Sequence, residues 1–215
     1  MISRTFPDGS RLDFVEDGHE YTLHRPGMEP CSTHPSDSTI AAYEPGKEPV
    51  QYAAGAATRG TLIHRALHLL EIGALPSSYL EAARGTRMEP FLHVWPKWLA
   101  HNGGELVEAE CLLWGEIAGL VFVGQCDRVY RRPGGLVLVD LKTSPRKSPS
   151  HPRQVAGYAI AYAQRFGEDV EVLSIVRLCE KKGAVTVMEQ ILPPEARGVA
   201  EVEFTERLAW MEEAT

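Results

Sequence analysis

The sequence predicts an α/β protein in which a central mixed sheet is flanked by helices. Three strand-like runs follow one another at residues 105–114, 119–130 and 135–142, and helical patterns precede them in the chain. A further helical stretch at 152–166 separates the third run from two more strand-like segments. Helices that alternate with strands in this order usually pack in layers against one sheet.

The N-terminal residues indicate a hairpin and a loop. Residues 11–25 alternate between apolar and polar side chains on either side of Asp17-Gly18, a dipeptide typical of a two-residue turn. Residues 26–49 are rich in proline, serine, threonine and glycine, so we expect a connecting loop there.

Two helical stretches are predicted next. Apolar residues recur at helical spacing between residues 50 and 72, and the glycine and proline of 73–76 end that helix. A second stretch covers 79–100, with interruptions expected near Pro90 and Pro96 and an end at 102–104, where the sequence is NGG.

The C-terminal part completes the predicted sheet with strands at 170–179 and 184–191. A terminal helix is expected after Pro193-Pro194, with three apolar residues on one side, namely Phe204, Leu208 and Met211. The whole chain, 1–215, is expected to form one domain. Within it we assign a hairpin and loop to 1–49, a helical region to 50–104 and the core to 105–215.

Composition and net charge limit the classes of protein to which the chain can belong. Hydrophobic residues make up 44% of the 215 residues and charged residues 24%, the mixture of a soluble globular protein. The formal net charge of −7 argues against a general nucleic-acid binder, so any contact with nucleic acid must depend on a local basic groove. Neither a signal peptide nor a membrane-length apolar run is visible, so a cytoplasmic protein without membrane contact is expected.

The four cysteines are scattered along the chain without a CxxC pair, at Cys31, Cys111, Cys126 and Cys179. Reduced thiols in an intracellular protein are the main expectation, and disulfides or an iron–sulfur site are the alternatives.

The segment VDLKTS, residues 139–144, places charge at the end of an apolar strand. Alternation along a strand puts Asp140 and Lys142 on one face and Leu141 on the other. Burying a lone carboxylate costs several kcal/mol unless another group compensates it. Lys142 therefore serves either as a structural ion-pair partner or as part of a functional site.

The preceding strand adds a second carboxylate. If the turn at 132–135 centres on its Pro-Gly pair, Asp127 lies opposite Asp140, at a cross-strand distance of about 5 Å. Two facing carboxylates repel, and a divalent cation between them removes that repulsion. Glu110 offers a third carboxylate, and oxygen ligands favour Mg²⁺ or Mn²⁺ over zinc.

Other candidates are ambiguous when each is taken alone. Gln154 and Tyr158 lie one helical turn apart and suit a surface that meets a nucleotide, or else the rim of an ordinary amphipathic helix. His64 is a core histidine or a ligand. Five basic residues form the local groove or are solvated surface charges: Arg59, Arg65, Arg146, Lys147 and Arg153.

The ordered set of His64, Glu110, GQCD ending at Asp127, DLK at 140–142 and QVAGY at 154–158 resembles PD-(D/E)XK nucleases of the RecB-like branch, above all small phage or prophage nucleases. The resemblance covers roughly residues 55–165, and residues 11–25 show a weaker similarity. It implies a restriction-endonuclease-like core with an N-terminal hairpin and a helical insert.

The resemblance also implies a metal site. Asp127 and Asp140 would hold Mg²⁺ or Mn²⁺, and the carbonyl oxygen of Leu141 would complete part of the shell. Glu110 would be a further acidic ligand, direct or through water, and His64 an additional ligand.

The remaining roles follow from the same resemblance. Lys142 would orient the attacking water and offset phosphate charge, and Gln154 and Tyr158 would help position DNA and the metal shell. The implied activity is that of a DNA exonuclease acting on single-stranded or frayed ends in recombination, repair or phage DNA processing. The implied partners are DNA and a recombination or replication protein.

Two alternatives stay open, and two others are disfavoured. A structure-selective endonuclease would use the same fold, and an inactive module would bind nucleic-acid ends without turnover. Zinc hydrolysis through His64 and His68 lacks an acid after the first histidine, where Arg65 stands. An iron–sulfur cluster is disfavoured because Cys111 and Cys126 lie inside predicted strands.

Overall fold

A computed structural model describes residues 1–46, 56–144 and 146–213, with the side chains of 56–58 excepted. The last residues of the predicted loop, 47–49, and the start of the predicted helix, 50–55, lie outside the described residues. No helix within the described ranges is both long and apolar enough to cross a membrane.

The N-terminal hairpin is confirmed and belongs to a small antiparallel sheet. Its strands, in the spatial order of the sheet, are β1 (Ile2–Thr5), β2 (Arg11–Val15) and β3 (Glu20–His24). The first strand was not predicted, because four residues carry too little alternation to be recognised. Phe14 stacks on Tyr21 with ring centroids 4.6 Å apart, which joins β2 to β3.

The predicted loop at 26–49 contains a short helix, α1 (Asp37–Ala42). Ser36 caps it by accepting a hydrogen bond from the backbone N–H of Thr39. Ile40 and Ala41 are fully buried, so packing stabilises a segment whose composition indicates a loop.

Three helices form the helical region: α2 (Ala56–Glu71), α3 (Ser77–Ala83) and α4 (Glu89–Asn102). The predicted interruption near Pro96 is wrong, because α4 continues through it. Trp95 and Trp98 are buried with ring centroids 4.8 Å apart, and their packing outweighs the backbone hydrogen bond that proline removes. Pro90 lies in the first turn, where no intrahelical donor is needed.

A mixed five-stranded sheet forms the centre of the protein, as predicted. Its strands, in spatial order, are β4 (Glu105–Ile117), β5 (Leu120–Arg132), β6 (Gly135–Lys142), β7 (Val170–Lys181) and β8 (Ala184–Ile191). Neighbours are antiparallel except β6 and β7, which are parallel and joined by the crossover helix α5 (Ser150–Phe166). The chain ends in α6 (Pro194–Glu213).

The sheet separates two apolar cores. Helices α1, α5 and α6 pack on one face, where Phe204 and Leu208 are buried and Met211 packs against them, as predicted. Helices α2 and α4 pack on the other face, against residues that include Val139 and Leu141. Because side chains alternate along a strand, Leu138 of β6 packs in the first core and Val139 in the second. The C-terminal end of β6 carries the charged residues Asp140 and Lys142.

Candidate metal and active site

Three side chains from different elements converge beside a cavity of about 540 Å³. They are His64 on α2, Glu110 on β4 and Asp127 on β5, and a ligand atom from each lies within 4.8 Å of the other two. All three line the cavity, together with His19 from the N-terminal hairpin turn. The site is therefore accessible from solvent on the side that the N-terminal sheet borders.

The strand register brings Glu110 opposite Asp127. Ala109 pairs with Arg128, and Cys111 pairs with Cys126, so the position between them faces Asp127. Glu110 has a φ of 48°, in the left-handed region that side chains with a Cβ rarely adopt. Its backbone thus departs from regular strand geometry at the residue whose carboxylate enters the site.

Asp127 is held by two contacts at once. Its Oδ1 lies 2.9 Å from His64 Nδ1, and its Oδ2 accepts a hydrogen bond from the Leu141 backbone N–H at 2.6 Å. Burial alone would raise the pKa of Asp127, but the positive charges of His64 and Lys142 outweigh burial and lower it to about 2. For His64, burial opposes the charged form, yet the adjacent Asp127 raises its pKa overall.

The predicted turn between β5 and β6 is confirmed by the pairing of Arg132 with Gly135. The same register, continued past its last pair of Arg128 with Val139, brings Asp127 opposite Asp140. Asp140 nevertheless does not belong to the compact group of three, and it lies deeper, with a side-chain exposure of 3%.

A polar chain leads from Asp140 into α5. Lys142 Nζ donates to Asp140 Oδ1 at 3.0 Å and to Gln154 Oε1 at 2.7 Å, and Gln154 Nε2 donates to Tyr158 Oη at 2.8 Å. Asp140 Oδ2 lies 3.0 Å from the same ammonium group but outside hydrogen-bond geometry, and we take this contact as electrostatic only. Burial raises the pKa of Asp140 to about 6, although Lys142 opposes the shift.

The donors present fit a divalent cation. Two carboxylates and an imidazole surround one point, and the orphaned Oδ2 of the buried Asp140 offers a further acceptor beside them. Carboxylates suit Mg²⁺ and Mn²⁺, whereas imidazole also suits zinc, so the donor set does not fix the metal. His68, the partner of His64 in the zinc alternative, lines the cavity but does not belong to the group.

The structure places the predicted basic residues unequally. Arg65 is exposed at the cavity beside His64, and Arg146 and Lys147 are exposed in the loop after β6. Arg59 is exposed and lies 3.9 Å from Glu180, a residue of β7.

Two predicted contacts with DNA require correction. Arg153 is 4% exposed, and its guanidinium group donates to the Ala41 carbonyl and to Glu203, so it does not line a surface groove. Tyr158 is 5% exposed, because its face of α5 packs against the sheet. Its hydroxyl is reached by Gln154 rather than by a ligand at the surface.

Sequence reasoning missed Asp37, the first residue of α1. It is fully buried, and neither carboxylate oxygen has a hydrogen-bond partner among the described residues. Burial, reinforced by the nearby negative charge of Asp140, raises the pKa of Asp37 well above its ordinary value. The available signal was Ser36, a favoured N-cap residue, followed directly by the acidic Asp37 of the first turn, inside a presumed loop.

Comparison with known proteins gives a family match. Residues 70–213 match the PD-(D/E)XK nuclease superfamily. No functionally curated protein matches the sequence.

Several solved structures resemble the chain at low identity, including two proteins described as exonucleases. A protein from Eubacterium rectale, provisionally described as an exonuclease, is 14% identical with a TM-score of 0.48, over 81% of this chain and 80% of that one. An alkaline exonuclease from Laribacter hongkongensis is 15% identical with a TM-score of 0.41, over 84% and 89% of the two chains.

Proposed function

Because the chain belongs to the PD-(D/E)XK nuclease superfamily, we propose that it hydrolyses phosphodiester bonds in DNA with the help of Mg²⁺ or Mn²⁺. The observation that carries this proposal is the convergence of His64, Glu110 and Asp127 within 4.8 Å at the wall of an open cavity. Asp140, which the strand register brings opposite Asp127, forms an ion pair with Lys142 at 3.0 Å.

The cation would be held by Asp127 and Glu110, with His64 and Asp140 as further ligands and the Leu141 carbonyl oxygen beside them. When bound, a divalent cation polarises a phosphoryl oxygen and makes a water nucleophile available at neutral pH. The protein's own contribution is to hold the carboxylates in place before the cation arrives. The Leu141 N–H does this for Asp127 through its 2.6 Å hydrogen bond.

Lys142 supplies fixed positive charge in this proposal. Its ammonium group is oriented by Asp140 and by Gln154, and Tyr158 in turn orients Gln154. A charge held in place before the reaction stabilises the extra negative charge of the pentacoordinate transition state without reorganising. Gln154 and Tyr158 thus act on the reaction through Lys142 rather than by touching DNA.

The finer part of the proposal is action at single-stranded or frayed DNA ends. Support comes from the order of His64, DLK at 140–142 and the Gln154–Tyr158 pair, which resembles the exonuclease-rich RecB-like branch. Arg65, Arg146 and Lys147 are exposed and supply local positive charge that the net charge of −7 does not show.

The test is digestion of end-labelled linear single- and double-stranded DNA with Mg²⁺ or Mn²⁺, beside an Asp127→Asn variant and a chelated control. Cleavage that needs the cation and is lost in the variant is expected. A closed circular single strand should resist digestion, and equal loss of circles would favour the endonuclease alternative. Binding of DNA ends without any cleavage would favour the inactive end-binding module.

A further inference from the structure

We propose that Arg128 is a positioning residue that fixes the carboxylate of Glu110 for the cation, and that Glu71 and Tyr130 in turn fix Arg128. This inference rests on the proposed cation site. The four side chains form one connected unit, of which only Glu110 lines the cavity.

The contacts of Arg128 are direct. Nη1 donates to Glu110 Oε1 at 2.8 Å and to the Asp127 carbonyl oxygen at 2.6 Å. Nε donates to Glu71 Oε2 at 2.9 Å, along a different edge of the guanidinium plane. The Arg128 side chain is fully buried and Glu71 nearly so, whereas Glu110 is 30% exposed, so solvent reaches this group of bonds only from the Glu110 side.

Glu71 is fixed from its other side. Its Oε1 accepts a hydrogen bond from Tyr130 Oη at 2.5 Å, while Oε2 meets Arg128. The carboxylate therefore bridges two residues of β5 that are two positions apart on one face of the strand. A bridging carboxylate of this kind leaves the guanidinium group little freedom to rotate.

Helix α2 links this unit to the cation site. Glu71 lies seven residues after His64, which is two helical turns, so both side chains project from the same face of α2. One helix face thus carries a candidate ligand at one point and the anchor of Arg128 two turns later. A shift of α2 would disturb His64 and Glu110 together.

Glu110 needs such a restraint. Its φ of 48° is unfavourable for a residue with a Cβ, and only its surroundings keep it there. Its contact with Arg128 is a charge-assisted hydrogen bond of 2.8 Å, which holds one oxygen and leaves the other for a ligand. Partners of this kind, one step behind the ligands, typically change metal affinity by about 10–100-fold when they are removed.

A lysine could not replace Arg128. The guanidinium group presents donors on separate edges in a fixed plane, whereas an ammonium group is a compact point charge on a flexible stem. Bridging Glu71 and Glu110 requires the separated donors. A purely structural ion pair would tolerate the same change at a cost in stability but would leave cation binding unaltered.

The experiment measures Mn²⁺ binding to the full chain without DNA, by electron paramagnetic resonance titration of free Mn²⁺. The variants are Glu71→Gln, Tyr130→Phe and Arg128→Lys. A matched control is Glu108→Gln, which breaks a half-buried ion pair with Arg4 on the same strand as Glu110. Circular dichroism and thermal unfolding establish that each variant is folded.

We expect the Mn²⁺ Kd to rise about tenfold or more in Glu71→Gln and Arg128→Lys, and less in Tyr130→Phe. Glu108→Gln should keep the Kd of the unsubstituted chain. Cleavage by Glu71→Gln should recover when Mn²⁺ is raised to saturation, because the ligands themselves are intact.

An unchanged Mn²⁺ Kd in folded Glu71→Gln and Tyr130→Phe would overturn the proposal, even if Arg128→Lys did not fold. Failure of the unsubstituted chain to bind Mn²⁺ would overturn the cation site and this inference together. Mn²⁺ binding with the expected variant effects but no cleavage of any DNA would overturn the nuclease proposal alone.

Discussion

His64 Nδ1 lies 2.9 Å from Asp127 Oδ1, although 63 positions separate the two residues in the chain. The contact joins α2 to the middle of β5 and gives Asp127 a cationic partner when His64 is protonated. The proton on the imidazole and the proposed metal cation would therefore compete for the same carboxylate.

This competition predicts that cation binding weakens at low pH. Asp127 raises the pKa of His64 against the opposing effect of burial. A cation that binds the imidazole must therefore displace a proton from it whenever the pH lies below that raised pKa. The Mn²⁺ Kd should rise between pH 8 and pH 6, and calorimetry in buffers of different ionisation enthalpy should detect proton release. His64→Ala should flatten this dependence, whereas His68→Ala, in the same cavity, should not. Equal pH dependence in both variants would contradict the competition.

Removal of the ammonium group should slow cleavage. Lys142→Ala is expected to lower kcat on end-labelled DNA by about 10²–10³-fold, because positive charge fixed by Asp140 and Gln154 is lost. Lys147→Ala, which removes an exposed charge from the neighbouring loop, is the control and should affect binding rather than kcat. Full turnover in Lys142→Ala would remove this residue from the mechanism.

Two buried carboxylic acids should make the metal-free protein more stable at mildly acidic pH than at neutral pH. The folded-state pKa values of Asp140, about 6, and of Asp37 are raised above those of the unfolded chain. Their protonated forms favour the folded state below about pH 4, and this contribution is lost as pH rises through the folded pKa values. The free energy of unfolding in urea, measured in chelator, should therefore fall between pH 4 and pH 7 on their account.

The substitution Asp37→Asn should remove part of that decline and raise the free energy of unfolding at pH 7. Asp169→Asn, at an exposed position, should leave the decline unchanged. Asp127 acts in the opposite direction and at lower pH. Its pKa is lowered to about 2, so its stabilising contribution is lost as pH falls through that value.

A close approach of helices predicts a steric effect at Gly157. A Cβ there would contact Asp37 Oδ2 and lie 2.6 Å from the Phe204 ring, so Gly157→Ala should destabilise the protein by about 1–3 kcal/mol. Gly198→Ala on α6 meets no atom within 4 Å and should instead stabilise the protein by about 0.5–1 kcal/mol. Urea unfolding of both variants gives the comparison, and equal effects would contradict it.

Local patterns predicted much of the fold and part of the candidate site. The Pro-Gly turn fixed the register of β5 and β6, and strand alternation placed Asp140 and Lys142 on one face, where they form a 3.0 Å contact. Helical spacing likewise placed Gln154 within hydrogen-bond distance of Tyr158. In each case the interacting residues are close in sequence, so local geometry was sufficient.

Tertiary packing decided the features that were missed. Helix α1 depends on burial of Ile40 rather than on its composition, and the burial of Tyr158 depends on which face of α5 meets the sheet. The positive φ of Glu110 leaves no signal in sequence, because glutamate does not favour that conformation. Arg128 looked like one basic residue among many until its partners on α2 and β4 were placed.

The pairing of Cys111 with Cys126 has a practical consequence for work on this protein. The two residues face each other across β4 and β5, each next in sequence to a carboxylate of the site, and both are free thiols. Thiophilic ions such as Cd²⁺ prefer sulfur to oxygen. Both thiols are buried, and the hydrogen bond with Cys111 together with burial raises the pKa of Cys126, so a thiophilic ion bound at this pair would report local opening of β4 and β5 rather than occupancy of the proposed cation site.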